Sequence, residues 1–232
     1  MRIVVLVAAS VLVAGCSTVP AGKPGPTELT PITPSRAAGS ATSTQESTSS
    51  TTVSPSATAP GAGEPVDAAI AWVQAGPPVD SADFRVALRG GTTTPLGDDT
   101  AFTTPFGTSC MTDGKRAAGG LACLVNLVDP PPQPQDVYGA WKGGWVDFDG
   151  SSVLIGSAHG DPGRFAAGQG APLPEGGSVS FGEFRCRTDA TVLVCVNYAR
   201  KTAVRYSDAG IDTFGCTRQS PPAAGVGEQF DC

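Results

Sequence analysis

Apolar positions are laid out along this chain in three ways. Residues Ile3–Val13 form one unbroken apolar run behind a single charge, Arg2. Residues 17–62 are sparse in large apolar side chains. From Gly63 onward apolar positions are periodic, first at helical spacing and then in short alternating stretches.

The helical stretch follows Pro65, a residue suited to the first turn of a helix because its fixed φ is already helical and its missing N–H needs no partner there. Val66, Ile70 and Val73 recur at i, i+4 and i+7, and Ala69 and Trp72 widen the same face. Gly76 and Pro77-Pro78 stop the helix. Trp72 is expected to anchor that face in a core.

Beyond it the period becomes that of strands. Strands are expected at Phe84–Leu88, Thr100–Thr104, Thr108–Thr112 and Leu121–Leu127. The run Asp129-Pro130-Pro131-Pro132-Gln133-Pro134 cannot donate to a ladder and is read as an extended surface loop. Trp145–Phe148 and Ser152–Ser157 flank Asp149-Gly150, a dipeptide that tolerates positive φ and fits a tight hairpin turn. Residues 158–177 read as loop. Ser178–Arg187 and Val192–Ala199 are expected to pair around Thr188–Thr191, and Thr202–Ser207 adds a strand before a tail closed by cysteine. The expected fold is a single mainly antiparallel β domain over 63–232, a sandwich or an open barrel, with one N-terminal helix.

Composition changes the picture in front of that domain. The stretch Ser40–Ser56 is almost entirely Ser, Thr and Ala with occasional Pro. Such a chain buries too little apolar area to offset its ordering entropy, so residues 16–62 are expected to be a disordered tether. Ser/Thr with Pro is also the composition of O-glycosylated stalks. The apolar run 3–13 is too short to cross a bilayer and fits an export signal over 1–15. It ends in Val13-Ala14-Gly15-Cys16, where small residues admit a peptidase and the cysteine thiol supplies the atom that accepts diacylglycerol. That pattern resembles the bacterial lipobox. It implies cleavage before Cys16, acylation of the new amine, and a lipid anchor on the extracytoplasmic face of the cell membrane. Two or three acyl chains hold stably where one holds marginally.

The seven cysteines fit this compartment. With Cys16 assigned to lipid, Cys110, Cys123, Cys186, Cys195, Cys216 and Cys232 remain, and an even set outside the cytosol reads as disulfides. Six cysteines admit many pairings. The sequential one, Cys110–Cys123, Cys186–Cys195 and Cys216–Cys232, is favoured because each pair brackets a short loop. No CxxC or Cys/His cluster points to zinc.

Charge excludes one class of partner. The formal charge is −6, and loss of Arg2 with the signal takes it to −7. Without a basic run, nucleic-acid binding is not expected.

Candidate chemistry is thin. There is no G-x-S-x-G, S-x-x-K or phosphate loop. The one histidine, His159, stands between Ser157 and Asp161, too close in sequence for the three to converge without an unusual turn. Asp147, Asp149 and Ser151 have the opening spacing of a calcium loop, but the sixth position is Ser152 and the twelfth Ala158. No catalytic residue, metal or cofactor is assigned. Trp141-Lys142-Gly143-Gly144-Trp145 is the one local feature that suggests binding, either as two exposed rings for stacking on sugars or as core rings with glycines admitting close backbone approach.

Several blocks resemble the LppI lipoproteins of mycobacteria and a wider group of secreted actinobacterial domains of unknown function. They are Ala14-Gly15-Cys16, Ala71-Trp72, Leu96-Gly97-Asp98-Asp99, residues 140–150 from Ala140 to Gly150, residues 180–187 from Ser180 to Arg187, and residues 195–199 from Cys195 to Ala199. The resemblance implies a mycobacterial envelope lipoprotein whose only transferable site is the lipidated Cys16. The function expected is therefore a non-enzymatic binding module for a cell-wall glycan or an envelope protein. A wall-directed hydrolase using acidic residues and a lipid or glycolipid carrier are the alternatives.

Overall fold

The computed structural model describes residues 58–114, 120–158 and 163–232. The expectations for the signal, Cys16, the tether up to Ala57 and His159 lie outside these residues. The helix α1 spans Val66–Ala75. Fifteen strands follow: β1 Val86–Arg89, β2 Thr92–Pro95, β3 Ala101–Thr103, β4 Ser109–Thr112, β5 Leu121–Leu124, β6 Lys142–Phe148, β7 Ser152–Ser157, β8 Gln169–Pro172, β9 Ser178–Phe181, β10 Phe184–Thr188, β11 Leu193–Asn197, β12 Thr202–Ser207, β13 Gly210–Phe214, β14 Arg218–Ser220 and β15 Val226–Asp231.

The strands form two sheets and no closed barrel. The larger runs β14-β15-β7-β6-β5-β4-β3-β8-β1-β2, and the smaller runs β13-β12-β11-β10-β9. All pairings are antiparallel except β3 with β8. The fold is thus a mainly β sandwich.

Alternation along the strands explains the layering. In β11, Leu193 and Cys195 point into the space between the sheets, where they meet Phe102, Phe148, Val153, Phe184 and Tyr206. Val194 and Val196, one residue out of phase, point the other way and receive Ala69, Trp72 and Val73 of α1. All five residues of β11 are therefore buried, as a strand covered on both faces requires. The larger sheet is covered too. Ala87, Ala101, Met111, Ala122 and Trp145 lie on its outer face beneath Phe165, which sits in a 3₁₀ segment at Gly163–Ala167.

The three disulfides are the sequential ones expected. Cys110 and Cys123 are direct cross-strand partners with Cα atoms 4.1 Å apart. Cys186 and Cys195 are likewise opposed at 4.0 Å. Directly opposed residues come this close only at non-hydrogen-bonded positions of an antiparallel ladder, where side chains also approach best. Both bridges are buried in the same core between the sheets.

Several expectations are corrected. Ser178–Arg187 is two strands, because Gly182 at φ +48 and Glu183 make a turn that returns the chain onto itself, pairing Phe184 with Phe181. The loop 158–177 contains β8, which pairs with β3 and β1 in the larger sheet. The tail contains β13, β14 and β15, and β15 pairs with β7 along most of its length. Phe84 is not in a strand; it ends a 3₁₀ turn at Ser81–Phe84, capped by the Asp80 side chain. Gly76 ends α1 with φ −70, so positive φ is not its reason for being glycine. A Cβ there would fall 2.6 Å from Cδ of Arg187.

Candidate functional site

At one end of the sandwich, turns from both sheets converge on a cleft of about 450 Å³. The larger sheet contributes the Asp98-Asp99 loop and Asp149 of the β6–β7 turn. The smaller contributes Phe181, Glu183 and Phe184 around the β9–β10 turn, and Asn197 and Arg200 around the β11–β12 turn. Its volume lies within the range of small-ligand clefts, roughly 300–1,000 Å³.

Local hydrogen bonding fixes the polar groups. Asp99 Oδ1 accepts from the Thr112 hydroxyl at 2.9 Å and from the Gly114 amide at 2.8 Å. Asp149 Oδ1 accepts from the amides of Ser151 and Ser152 at 2.7 and 2.8 Å, closing the turn that Asp149-Gly150 predicts. In each carboxylate one oxygen is held by two donors. Asn197 is buried, and its Oδ1 accepts from the Arg200 amide at 3.0 Å. Gly150, at φ +96, stands where any Cβ would meet the Asn197 carboxamide. The Glu183 carbonyl accepts from the Tyr198 amide, tying two of the turns together. Asp98, fully exposed, faces Arg85 at 3.9 Å. The walls are the rings of Phe181 and Phe184, stacked at 5.7 Å with 17° between planes.

The two tryptophans do not form the stacking surface that was one reading of the Trp141–Trp145 segment. Trp145 is fully buried on the outer face of the larger sheet, edge-on to Phe165 at 5.6 Å, and its Nε1 donates to Asp147 Oδ2 at 2.9 Å. Asp147 Oδ1 pairs with Arg164 at 3.1 Å, which fastens the covering segment over the indole. Trp141 is half-buried, and its Nε1 donates to the Pro131 carbonyl at 3.0 Å. A ladder irregularity between Lys142 and Val146 separates the two rings. Each is covered by a distant segment, 163–167 over Trp145 and the proline loop beside Trp141. The glycines behave as the packing reading requires: a Cβ at Gly143 would meet Pro130, and one at Gly144 would fall on the Val125 carbonyl.

Asp147 and Asp149 serve different ends, the first in the ion pair with Arg164 and the second in the turn. Among the described residues no group of three or more His, Cys, Asp or Glu side chains is placed to hold a metal ion. No helix of the described residues is long and apolar enough to cross a membrane. The proline loop and residues 222–228 enclose a second groove, of about 610 Å³. It is walled mainly by prolines, small residues and backbone.

The convergence of Asp99, Asp149, Glu183 and Asn197 was not foreseen from sequence. Asp149-Gly150 was the available signal, and it carried a structural explanation of its own; the Gly182-Glu183 turn lay inside a stretch expected to be one strand. Fold and cleft together define a disulfide-stapled β-sandwich domain with an acidic, aromatic-walled cleft at one end. No protein-family model, curated protein or solved structure matches the chain.

Proposed function

We propose that this protein is an extracytoplasmic lipoprotein, anchored to the cell membrane through lipids on Cys16, whose sandwich domain is a non-enzymatic binding module for a cell-wall glycan or an envelope protein. The observation that carries the reading is the three disulfides, two of them deep in the core between the sheets. Disulfides persist in oxidising compartments outside the cytosol. A chain that sends six cysteines into bridges and keeps a seventh at the end of an export signal is suited to that address. The resemblance to mycobacterial envelope lipoproteins points the same way. The space between the sheets is filled by aromatic, aliphatic and cystine side chains, so binding is assigned to the end cleft and not to a lipid-carrying interior.

The carboxylates lining the cleft favour a wall-directed hydrolase as the second reading, since paired acids are the groups such chemistry uses. Mass spectrometry of the mature protein from the membrane fraction tests the anchor. The expected result is a chain beginning at Cys16 with thioether-linked diacylglycerol; an unmodified Cys16 in a full-length chain sinks the anchored reading. Incubation of purified protein with isolated cell walls separates module from hydrolase. Retention without release of soluble fragments is expected, and fragment release abolished by Asp149→Asn would establish the hydrolase instead.

A further inference from the structure

We infer that the end cleft is a subsite for a saccharide carrying a protonated amine. The inference rests on the binding-module reading and names its ligand class.

Four features of the cleft combine to specify this chemistry. Asp99 and Asp149 each have Oδ1 immobilised by two donors, leaving Oδ2 to accept from a ligand at no further ordering cost. Held acceptors of this kind suit hydroxyl and ammonium donors. Asn197 supplies the complementary donor. Its side chain is buried and lines the cleft; Oδ1 is used by Arg200, and Nδ2 donates to no described residue. That N–H opens onto the cleft, where it is positioned to donate to a ligand oxygen. Phe181 is half-buried and backed by the parallel ring of Phe184, which makes a flat apolar wall. The C–H face of a sugar ring lies well against such a wall.

Charge then selects among saccharides. The cleft is lined by four carboxylates, Asp98, Asp99, Asp149 and Glu183, against one guanidinium, that of Arg200. An anionic sugar meets net repulsion there and a neutral one gains nothing from the field. An ammonium group gains from every carboxylate within a Debye length, roughly 8–10 Å at ordinary ionic strength. A linear polyamine would satisfy the charge but would leave the Asn197 donor and the flat Phe181 wall without a partner. An extended peptide would bring backbone groups needing a ladder, and the cleft is built from turns.

The test is calorimetric titration of the full mature chain, disulfides intact, with three probes: the glucosamine disaccharide with free amines, its N-acetylated form, and spermine. The free-amine disaccharide is expected to bind, and the N-acetylated form to bind roughly tenfold more weakly or less, the equivalent of about 1.4 kcal/mol. Glu183→Gln, which removes a surface carboxylate outside the hydrogen-bond network, is expected to weaken the free-amine probe several-fold and to leave the melting temperature unchanged. Phe181→Ala is expected to weaken both sugars and leave any spermine affinity unaltered. Equal binding of the two sugars, no binding of the free-amine sugar, or spermine binding at least as tight overturns the inference. If the amine sugar fails while the lipidated protein is still retained by isolated cell walls, the ligand class is wrong and the anchored-module reading stands. If retention fails as well, the binding-module reading falls with it.

Discussion

The Arg187 guanidinium lies over the Trp72 indole, 4.2 Å from the ring centroid, while its Nη1 donates to the Trp72 carbonyl at 2.6 Å. One side chain of β10 thus engages both the aromatic face and the backbone of α1. Arg185, two residues earlier on the same face, donates to the Gly76 carbonyl and the Ser178 hydroxyl. The last carbonyls of the helix find their donors here rather than in a left-handed glycine cap. Arg187→Ala should therefore cost about 2–4 kcal/mol in urea unfolding, from the lost cation–π contact, the charged hydrogen bond and the packing of the stem. Arg187→Lys should recover less than half, since an ammonium cannot stack and donate in this geometry at once. Burial pulls the Arg187 guanidinium below its ordinary value, and Asp189 opposes this. The group stays charged through neutral pH, so the loss should not vary with pH there. A cost below about 0.5 kcal/mol, within the usual range of surface substitutions, would remove the clamp.

Tyr206 is completely buried between the sheets, and its hydroxyl has no hydrogen-bond partner among the described residues. Burial, with the Asp147 charge adding to it, holds the phenol far above its ordinary value. Tyr206→Phe removes an unsatisfied oxygen at almost constant shape. It should be neutral or stabilising, by up to about 1 kcal/mol. Thermal melting decides this; a destabilisation above about 1 kcal/mol would mean the hydroxyl is satisfied after all.

Reduction should proceed in two stages. Cys216 and Cys232 are exposed, whereas the other four bridging cysteines are fully buried. Alkylation and mass mapping under mild reductant should find Cys216 and Cys232 labelled first in a folded chain. The paired change Cys216→Ala and Cys232→Ala, which opens a loop of sequence separation 16, should cost about 3 kcal/mol by chain entropy. Early labelling of Cys186 or Cys195 would contradict the layering.

Asp231 ties β14 and β15 to β7. Its carboxyl accepts from Ser220 at 2.6 Å, from Ser152 at 2.8 Å and from Gln229 at 2.8 Å. These bonds hold it below the usual aspartate value, with Ser220 the largest influence and slight burial opposing. A depressed carboxyl stabilises the folded chain fully above the unfolded-chain value and loses that contribution as pH falls through the folded one. Carbon-detected NMR should place the Asp231 midpoint below that of an ordinary aspartate, and amide exchange in β14 should accelerate in acid. Asp231→Asn should remove this acid sensitivity, and a midpoint at the ordinary value would deny it.

Gly156 packs against Trp141. A Cβ there would lie 2.6 Å from the indole, and φ is +74, so alanine is disfavoured twice. Gly156→Ala should displace Trp141 and loosen the proline loop, at a cost of about 1–3 kcal/mol. A red shift in tryptophan emission is expected, and unchanged emission would show that the ring has another support.

Much of this fold can be read from local pattern. The helix face of Ala69, Trp72 and Val73, the hairpin at Asp149-Gly150, the strand Thr202–Ser207 and the three sequential disulfides each depend on residues near one another in the chain. Periodicity, turn chemistry and short-loop pairing express exactly such relations. What the sequence alone determined, then, was a mainly β domain with one helix and three bridges. The tertiary structure decided what depends on distant partners. The sheets close as a sandwich because β15 finds β7 and β8 slips between β3 and β1, pairings with no local signature. Trp145 is a core residue because Phe165 and Arg164 return to cover it. The cleft exists because turns bearing Asp99, Asp149, Glu183 and Asn197 meet at one end of the sandwich. Of these turns only Asp149-Gly150 is legible by itself, and only packing of the two sheets brings their side chains within reach of one ligand.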